Sequence, residues 1–292
     1  MFSTNPARVR SAPVTYSLVA RDAETGQLGV GVQTKAFAVG RTVPWALAGV
    51  GAVATQSVSE RSYGPLGLAL LDAGRAPDEA LRGLLAADAL AEVRQVAIVD
   101  AEGQVATHTG AGCIPEAGHV AGEGFSAQAN MMRSAEVWPA MAEAFTAAEG
   151  TLARRLLAAL DAAEAAGGDF RGRRTAALLV VGGERTGAPW DAEVVDLRVD
   201  DHPEPLEELR RLLDLEEAYR RLGSHSGDLP DEELAAARSA GVGEADLAWF
   251  AVSAAARAGD LEEARRRLEH LVAVEPRWQG AWAAVAALAA HE

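Results

Sequence analysis

The residues whose types and positions could do chemistry are few. Lys occurs once, at Lys35, and Asn twice, at Asn5 and Asn130, in a chain rich in Ala, Arg and Gly. That bias suggests a GC-rich coding sequence, and residues that persist against it are candidates for a chemical need or chance survivors. Lys35 lies just beyond an expected strand, where an ammonium could lower a neighbouring pKa or hold a carboxylate; otherwise it is an exposed strand-end cation. Gln33 and Thr34 take opposite faces of that strand, so only one can point with Lys35; Gln33 is assigned to substrate contact. Gln56 and Asn130 end strands, where amides could donate to a developing oxyanion or cap a turn. Asp169 and Arg171 follow a Gly167-Gly168 stop and could bind a substrate carboxylate or pair with each other. Cys113 between Gly112 and Ile114 has no neighbouring base and suits a buried small hydrophobe. Asp200-Asp201-His202 could ligate a metal, but they precede Pro203 and a helix, where such residues cap. No metal site and no cofactor are expected, since no P-loop, dinucleotide fingerprint, nucleophile elbow or zincin motif is present.

Composition narrows the classes. The 292 residues are 49% hydrophobic and 24% charged, a globular balance that fits two domains. A net charge of −15 argues against a nucleic-acid partner. One Cys excludes a disulfide framework. No apolar run approaches the roughly 20 residues that span a bilayer, and the first residues lack a secretory core, so a cytoplasmic protein without a membrane partner is expected.

Stepping along the chain, residues 1–13 read as a polar arm. Thr15–Ala20 and Leu28–Thr34 read as a hairpin around Asp22–Gly26. Gly29 and Gly31 strip one face of its second strand, so a packed element or a ligand must approach closely there. Gly49–Gln56 reads as a third strand leading into helices near 66–73 and from Pro77. Strands follow at 93–99, 104–107 and within 119–129, then helices near 134–148 and 152–166, strands at 175–181 and 194–199, and a helix over 204–221. Strands come in runs and helices in pairs, which predicts an α+β layered fold of antiparallel sheets with helices outside. After Ser224–Gly227 no strand signal remains, and helices are expected at 244–258, 260–274 and 277–290. Their bulky–small–Gly–Ala–Pro spacing resembles about one and a half tetratricopeptide repeats. Trp249, Phe250, Trp278 and Trp282 are more large apolar groups than three short helices bury alone.

The segments Thr15–Asp22, Phe37–Gly40, Gly49–Gln56, Gln128–Met131, Gly167–Gly172 and Asp196–Pro203 together resemble a bacterial family known as domain of unknown function 1028, over about residues 14–211. The strand–turn–strand order also resembles the N-terminal-nucleophile (Ntn) hydrolases. In that class a Thr, Ser or Cys begins the first strand and its own α-amine serves as base. The resemblance implies a four-layer αββα sandwich and makes Thr15 the nucleophile, with Lys35 and Asn130 as further catalytic candidates and Gln33, Gln56, Asp169 and Arg171 as substrate contacts. Fourteen residues precede Thr15, so a free amine requires cleavage after Val14 or a later translation start; otherwise Thr15 is an ordinary β-branched strand residue.

The expected organisation is an arm (1–13), an Ntn-hydrolase-like domain (14–223) and a small all-α domain (224–292). The expected activity is hydrolysis of a small-molecule amide or related C–N bond. The alternative is a non-catalytic ligand-binding or assembly protein. A homo-oligomer is expected, with the helical tail packed on the main domain or on a second subunit.

Overall fold

The computed structural model describes residues 15–188 and 191–290. The chain divides into two compact units, residues 1–210 and 211–292. In the first, short apolar and β-forming runs make ten strands among the described residues: β1 (Thr15–Arg21), β2 (Leu28–Thr34), β3 (Pro44–Leu47), β4 (Gly51–Ser57), β5 (Arg94–Asp100), β6 (Val105–Thr109), β7 (Gly118–Gly122), β8 (Phe125–Asn130), β9 (Thr175–Val181) and β10 (Glu193–Val199). Between them lie α1 (Tyr63–Asp72), α2 (Pro77–Ala86), α3 (Val137–Ala147) and α4 (Leu152–Ala165). One sheet has the order β10-β9-β2-β1-β8-β7 and the other β3-β4-β5-β6. All their pairings are antiparallel. The fold is therefore α+β with two antiparallel sheets.

The sheets pack face to face. Val19, Val30 and Val32 of the first meet Ala52, Ala54, Ala97 and Val99 of the second in one buried cluster. A second cluster, with Leu68, Leu71 and Leu81 against Val53, Val96 and Ile98, seats α1 and α2 on the outer face of the smaller sheet. On the other side α4 lies against β2, β1 and β9, and α3 against β7 and β8. The bare face of β2 is what admits α4. A Cβ on Gly31 would stand 3.2 Å from Leu156 Cβ, and one on Gly29 2.9 Å from Leu179 O. Of the two readings of those glycines, a packed element is the one found.

Three expectations are revised. The single strand within 119–129 is a hairpin, β7 and β8, turning at Gly124 (φ +70°). Strand β3 escaped notice because it is four residues long and opens on Pro44, as an edge strand allows. The tail holds an additional helix before 244, described next.

The second unit is helical. The last part of α5 (Pro205–Ser224) is followed by α6 (Asp231–Ala240), α7 (Glu244–Arg257), α8 (Leu261–Val274) and α9 (Trp282–Leu288). Helix α6 starts after Pro230 with Asp231, Glu232 and Glu233 in its first turn, a charge pattern suited to a helix start. The large aromatics find partners within this unit. Trp249 stacks on Trp278 at 4.7 Å, and Phe250 meets Tyr219 edge-on at 5.5 Å. Among the described residues no helix is long and apolar enough to cross a membrane.

Candidate functional site

Strand parity builds the site. Thr15, Ser17 and Val19 share the inward face of β1, and Ser126, Gln128 and Asn130 sit opposite them on β8. Thr34 on β2 is the other cross-strand partner of Thr15. From the facing sheet, Gln56 of β4 and Gln95 of β5 are paired in register, and Thr109 of β6 pairs with Gln95. The inter-sheet layer is thus apolar at one end and amide-rich at the end where Thr15 begins β1. Thr15, Ser17, Gln56, Gln95 and Asn130 are all fully buried.

Burial of this many amides requires a closed network, and nearly every polar atom is used. Ser17 Oγ donates to Gln56 Oε1 at 2.7 Å and accepts from Gln128 Nε2 at 2.7 Å. Ser126 Oγ donates to Gln128 Oε1 at 2.7 Å. Gln56 Nε2 donates to Gln95 Oε1 at 2.7 Å and to the Thr15 carbonyl at 3.2 Å. Asn130 Nδ2 donates to the same two acceptors, at 2.9 and 3.3 Å. Gln95 Nε2 extends the chain to the Ala129 carbonyl at 2.8 Å and Thr109 Oγ1 at 3.0 Å. At its rim Thr109 Oγ1 meets His119 Nδ1 at 2.8 Å. Burial, then the neighbouring His108, pushes the His119 pKa below its ordinary value. Asn130 Oδ1 is buried with no hydrogen-bond partner among the described residues. Both strands that deliver the amides end in left-handed residues, Ser57 (φ 68°) and Met131 (φ 57°), directly after Gln56 and Asn130.

The other expected site residues separate from this cluster. Gln33 lies across from Tyr16 on the outward face of β2. It is fully buried, and both its amide atoms lack partners among the described residues. Lys35 is exposed: its backbone N–H donates to Asp169 Oδ2 at 3.1 Å and its ammonium reaches the Arg173 carbonyl at 3.5 Å. Asp169 is buried and pairs with Arg171 at 3.2 Å, also accepting from the Arg171 N–H at 2.8 Å. This carboxylate therefore ties the loop after α4 to the end of β2, while Met132 bridges to Asp169 from the end of β8. Cys113 is buried, its thiol donating to the Arg94 carbonyl at 3.3 Å, and burial pushes its pKa up. His202 Nδ1 accepts from the Glu204 N–H at 3.0 Å just before α5, and Asp201 pairs with Arg174 at the start of β9 at 2.8 Å.

Sequence reasoning missed Ser17, Gln95, Gln128 and Ser126 as site residues. Their signal was there: Ser17 and Gln95 are polar at inward parity in strands that also turn Val19, or Ala97 and Val99, inward, and the same parity of β8 is polar throughout, with Ser126, Gln128 and Asn130.

The Family of unknown function (DUF1028) matches residues 15–209, and the chain belongs to that family. A crystal structure of a family member from Silicibacter pomeroyi is similar at TM-score 0.63 and 34% identity, covering 70% of this chain and 86% of that one. Anbu, the ancestral β-subunit from Yersinia bercovieri, is matched at TM-score 0.31 and 11% identity over 74% of this chain and 99% of that chain, too low to define a shared fold. No curated protein matches the sequence.

Proposed function

We propose that the chain is an Ntn-type hydrolase of a small amide or related C–N bond, with Thr15 as nucleophile. The observation that supports this best is the grip on Thr15: two buried amides from different sheets, Gln56 and Asn130, both donate to its carbonyl. A residue held so firmly at the start of a central strand has its hydroxyl and nitrogen fixed in space, as nucleophilic catalysis requires. In this reading Gln56 and Asn130 are positioning residues rather than oxyanion donors. Once the bond to Val14 is broken, the Thr15 amine takes the hydroxyl proton as Oγ attacks the substrate carbonyl. The amine returns that proton to the leaving nitrogen, and water then hydrolyses the ester on Oγ. Asn130 Oδ1, buried without a partner and in register with Thr15, supplies an acceptor for the ammonium formed on the way. The layering of helix pair, sheet, sheet and helix pair is consistent with the αββα Ntn sandwich.

The competing reading is a ligand-binding or assembly protein without catalysis. It is favoured by the commitment of both amides to the Thr15 carbonyl, which leaves them no donor for a substrate. The two are separated by comparing the full chain with one starting at Met-Thr15, whose Met is trimmed, and with its Thr15→Ala variant. Hydrolysis of simple amides by the trimmed chain alone, with intact mass proving Thr15 exposed, is the expected outcome. An exposed but inert Thr15 sinks the enzyme reading, and an equally active Ala variant removes Thr15 from the mechanism. The helical unit, tetratricopeptide-like in spacing, is proposed as the contact surface between copies.

A further inference from the structure

A cleft of about 610 Å³ opens where β3 and β10, the edge strands of the two sheets, lie near each other. Its apolar floor lies away from Thr15. Its floor residues Leu179 and Val181 are in register, through Val30 and Leu28, with Val19 and Arg21. Those are four and six residues beyond Thr15, roughly 13–20 Å at the ordinary rise of a strand. The rest of the floor is apolar, with Ala46, Ala48 and Val50.

Four guanidinium groups line the cleft against three carboxylates, Asp72, Glu193 and Asp196. Two of the four are neutralised: Arg198 makes a two-pronged pair with Asp196 at 2.8 and 2.9 Å, and Arg185 pairs with Asp72. Arg41 and Arg61 have no carboxylate partner among the described residues, in a protein with fifteen more acidic than basic side chains. Arg61 instead stands 5.9 Å from the centre of the Trp45 ring. That indole is locked: its Nε1 donates to the Thr42 carbonyl at 3.1 Å, and a Cβ on Gly64 would lie 2.3 Å from the ring. Gly40 is likewise bare so that the Arg198 stem can cross it, at 2.9 Å from where a Cβ would stand. A concave site with an apolar floor, one fixed aromatic wall and two arginines without a carboxylate partner, against Glu193 as the one remaining carboxylate, is the anatomy of a small-molecule pocket that favours an anion.

We propose that this cleft binds a small organic anion, a carboxylate or phosphate ester with an apolar body, its anionic group held by Arg41 and Arg61 and its body against Trp45. The proposal is independent of any activity at Thr15. Its test is calorimetric titration of the full chain with benzoate and phenyl phosphate, with benzyl alcohol and benzylamine as neutral and cationic analogues. At least one anion binds with Kd on the order of 1 mM, tenfold or more tighter than both analogues; which one does so tells carboxylate from phosphate ester. Arg41→Gln and Arg61→Gln each weaken it about five- to tenfold without moving the thermal transition, and raised salt weakens it further. At saturation the Trp45 indole N–H resonance, assigned through Trp45→Phe, shifts. Anions that bind no tighter than benzyl alcohol, affinities unchanged within about twofold in both glutamine variants, or an unmoved Trp45 resonance would each overturn it.

Discussion

Two buried glutamines make opposite predictions. Gln95 bridges the network: its Oε1 accepts from Gln56 and Asn130, and its Nε2 donates to Thr109 and two backbone carbonyls. Gln95→Leu strands several of those groups without water, so it costs about 2–4 kcal/mol in denaturant unfolding. Gln33 is as deeply buried but makes none of these bonds. Replacing an unsatisfied amide with an apolar group of similar size removes a desolvation penalty, so Gln33→Leu is neutral or stabilises by up to about 2 kcal/mol. Equal destabilisation by both changes would show that Gln33 has a partner such as an internal water. The contrast separates a side chain that ties together the network around Thr15 from one on the opposite face of the neighbouring strand.

At the scale of elements, the approach of α4 to β2 depends on absent side chains. A Cβ at position 31 meets Leu156, Leu160 and Leu178 between 3.2 and 3.4 Å, and a larger group has nowhere to go. Gly31→Val therefore forces α4 outward and costs about 2–4 kcal/mol by overpacking, against the gain that a β-former normally brings to a strand. The displacement also carries Glu164, which accepts the Tyr16 hydroxyl proton at 2.8 Å and pairs with Arg173 at 3.0 Å. The measurement is urea unfolding of the variant beside Gly74→Ala, a glycine with φ +80° and open space around it. If Gly31→Val proves no worse than Gly74→Ala, the packing account of the bare face fails.

For the whole molecule, each unit has its own apolar core. In the first it lies between and outside the sheets, around Val30, Ala54 and Leu71. In the second it gathers Leu222, Val242 and Leu247, and then Val252, Leu268 and Val285. Independent cores unfold independently unless a large interface couples them. Calorimetry of the full chain is expected to show two transitions, and a chain ending at Ser224, which keeps all of α5, to lose one of them. If the helical unit joins copies as proposed, sedimentation will show the shortened chain smaller than expected from mass alone. An unchanged oligomeric state would remove that role.

Much of this was legible in one dimension. Thr15–Arg21 and Thr175–Val181 mark strands by short runs of β-formers and apolar residues, and Leu28–Thr34 by its alternating glycines, because strands covered on both faces need no polar side and that is written residue by residue. Paired strands and paired helices without a βαβ rhythm specified antiparallel sheets, and the spaced motifs from Thr15 to Pro203 pointed to the family. Thr15, Gln56 and Asn130 were likewise marked by their places at strand ends. Tertiary structure decided who meets whom. Parity puts Gln33 and Thr34 on opposite faces, but only the stacking of the sheets made the Thr34 face the one with Gln56 and Gln95. Only the loop after α4 turned Asp169 into a clamp on the Lys35 backbone and left the Lys35 ammonium outside. Gly29 and Gly31 announced a close approach without naming what approaches. Those outcomes depend on contacts between residues far apart in sequence, and such contacts are set by the docking of whole elements rather than by any local preference of the chain.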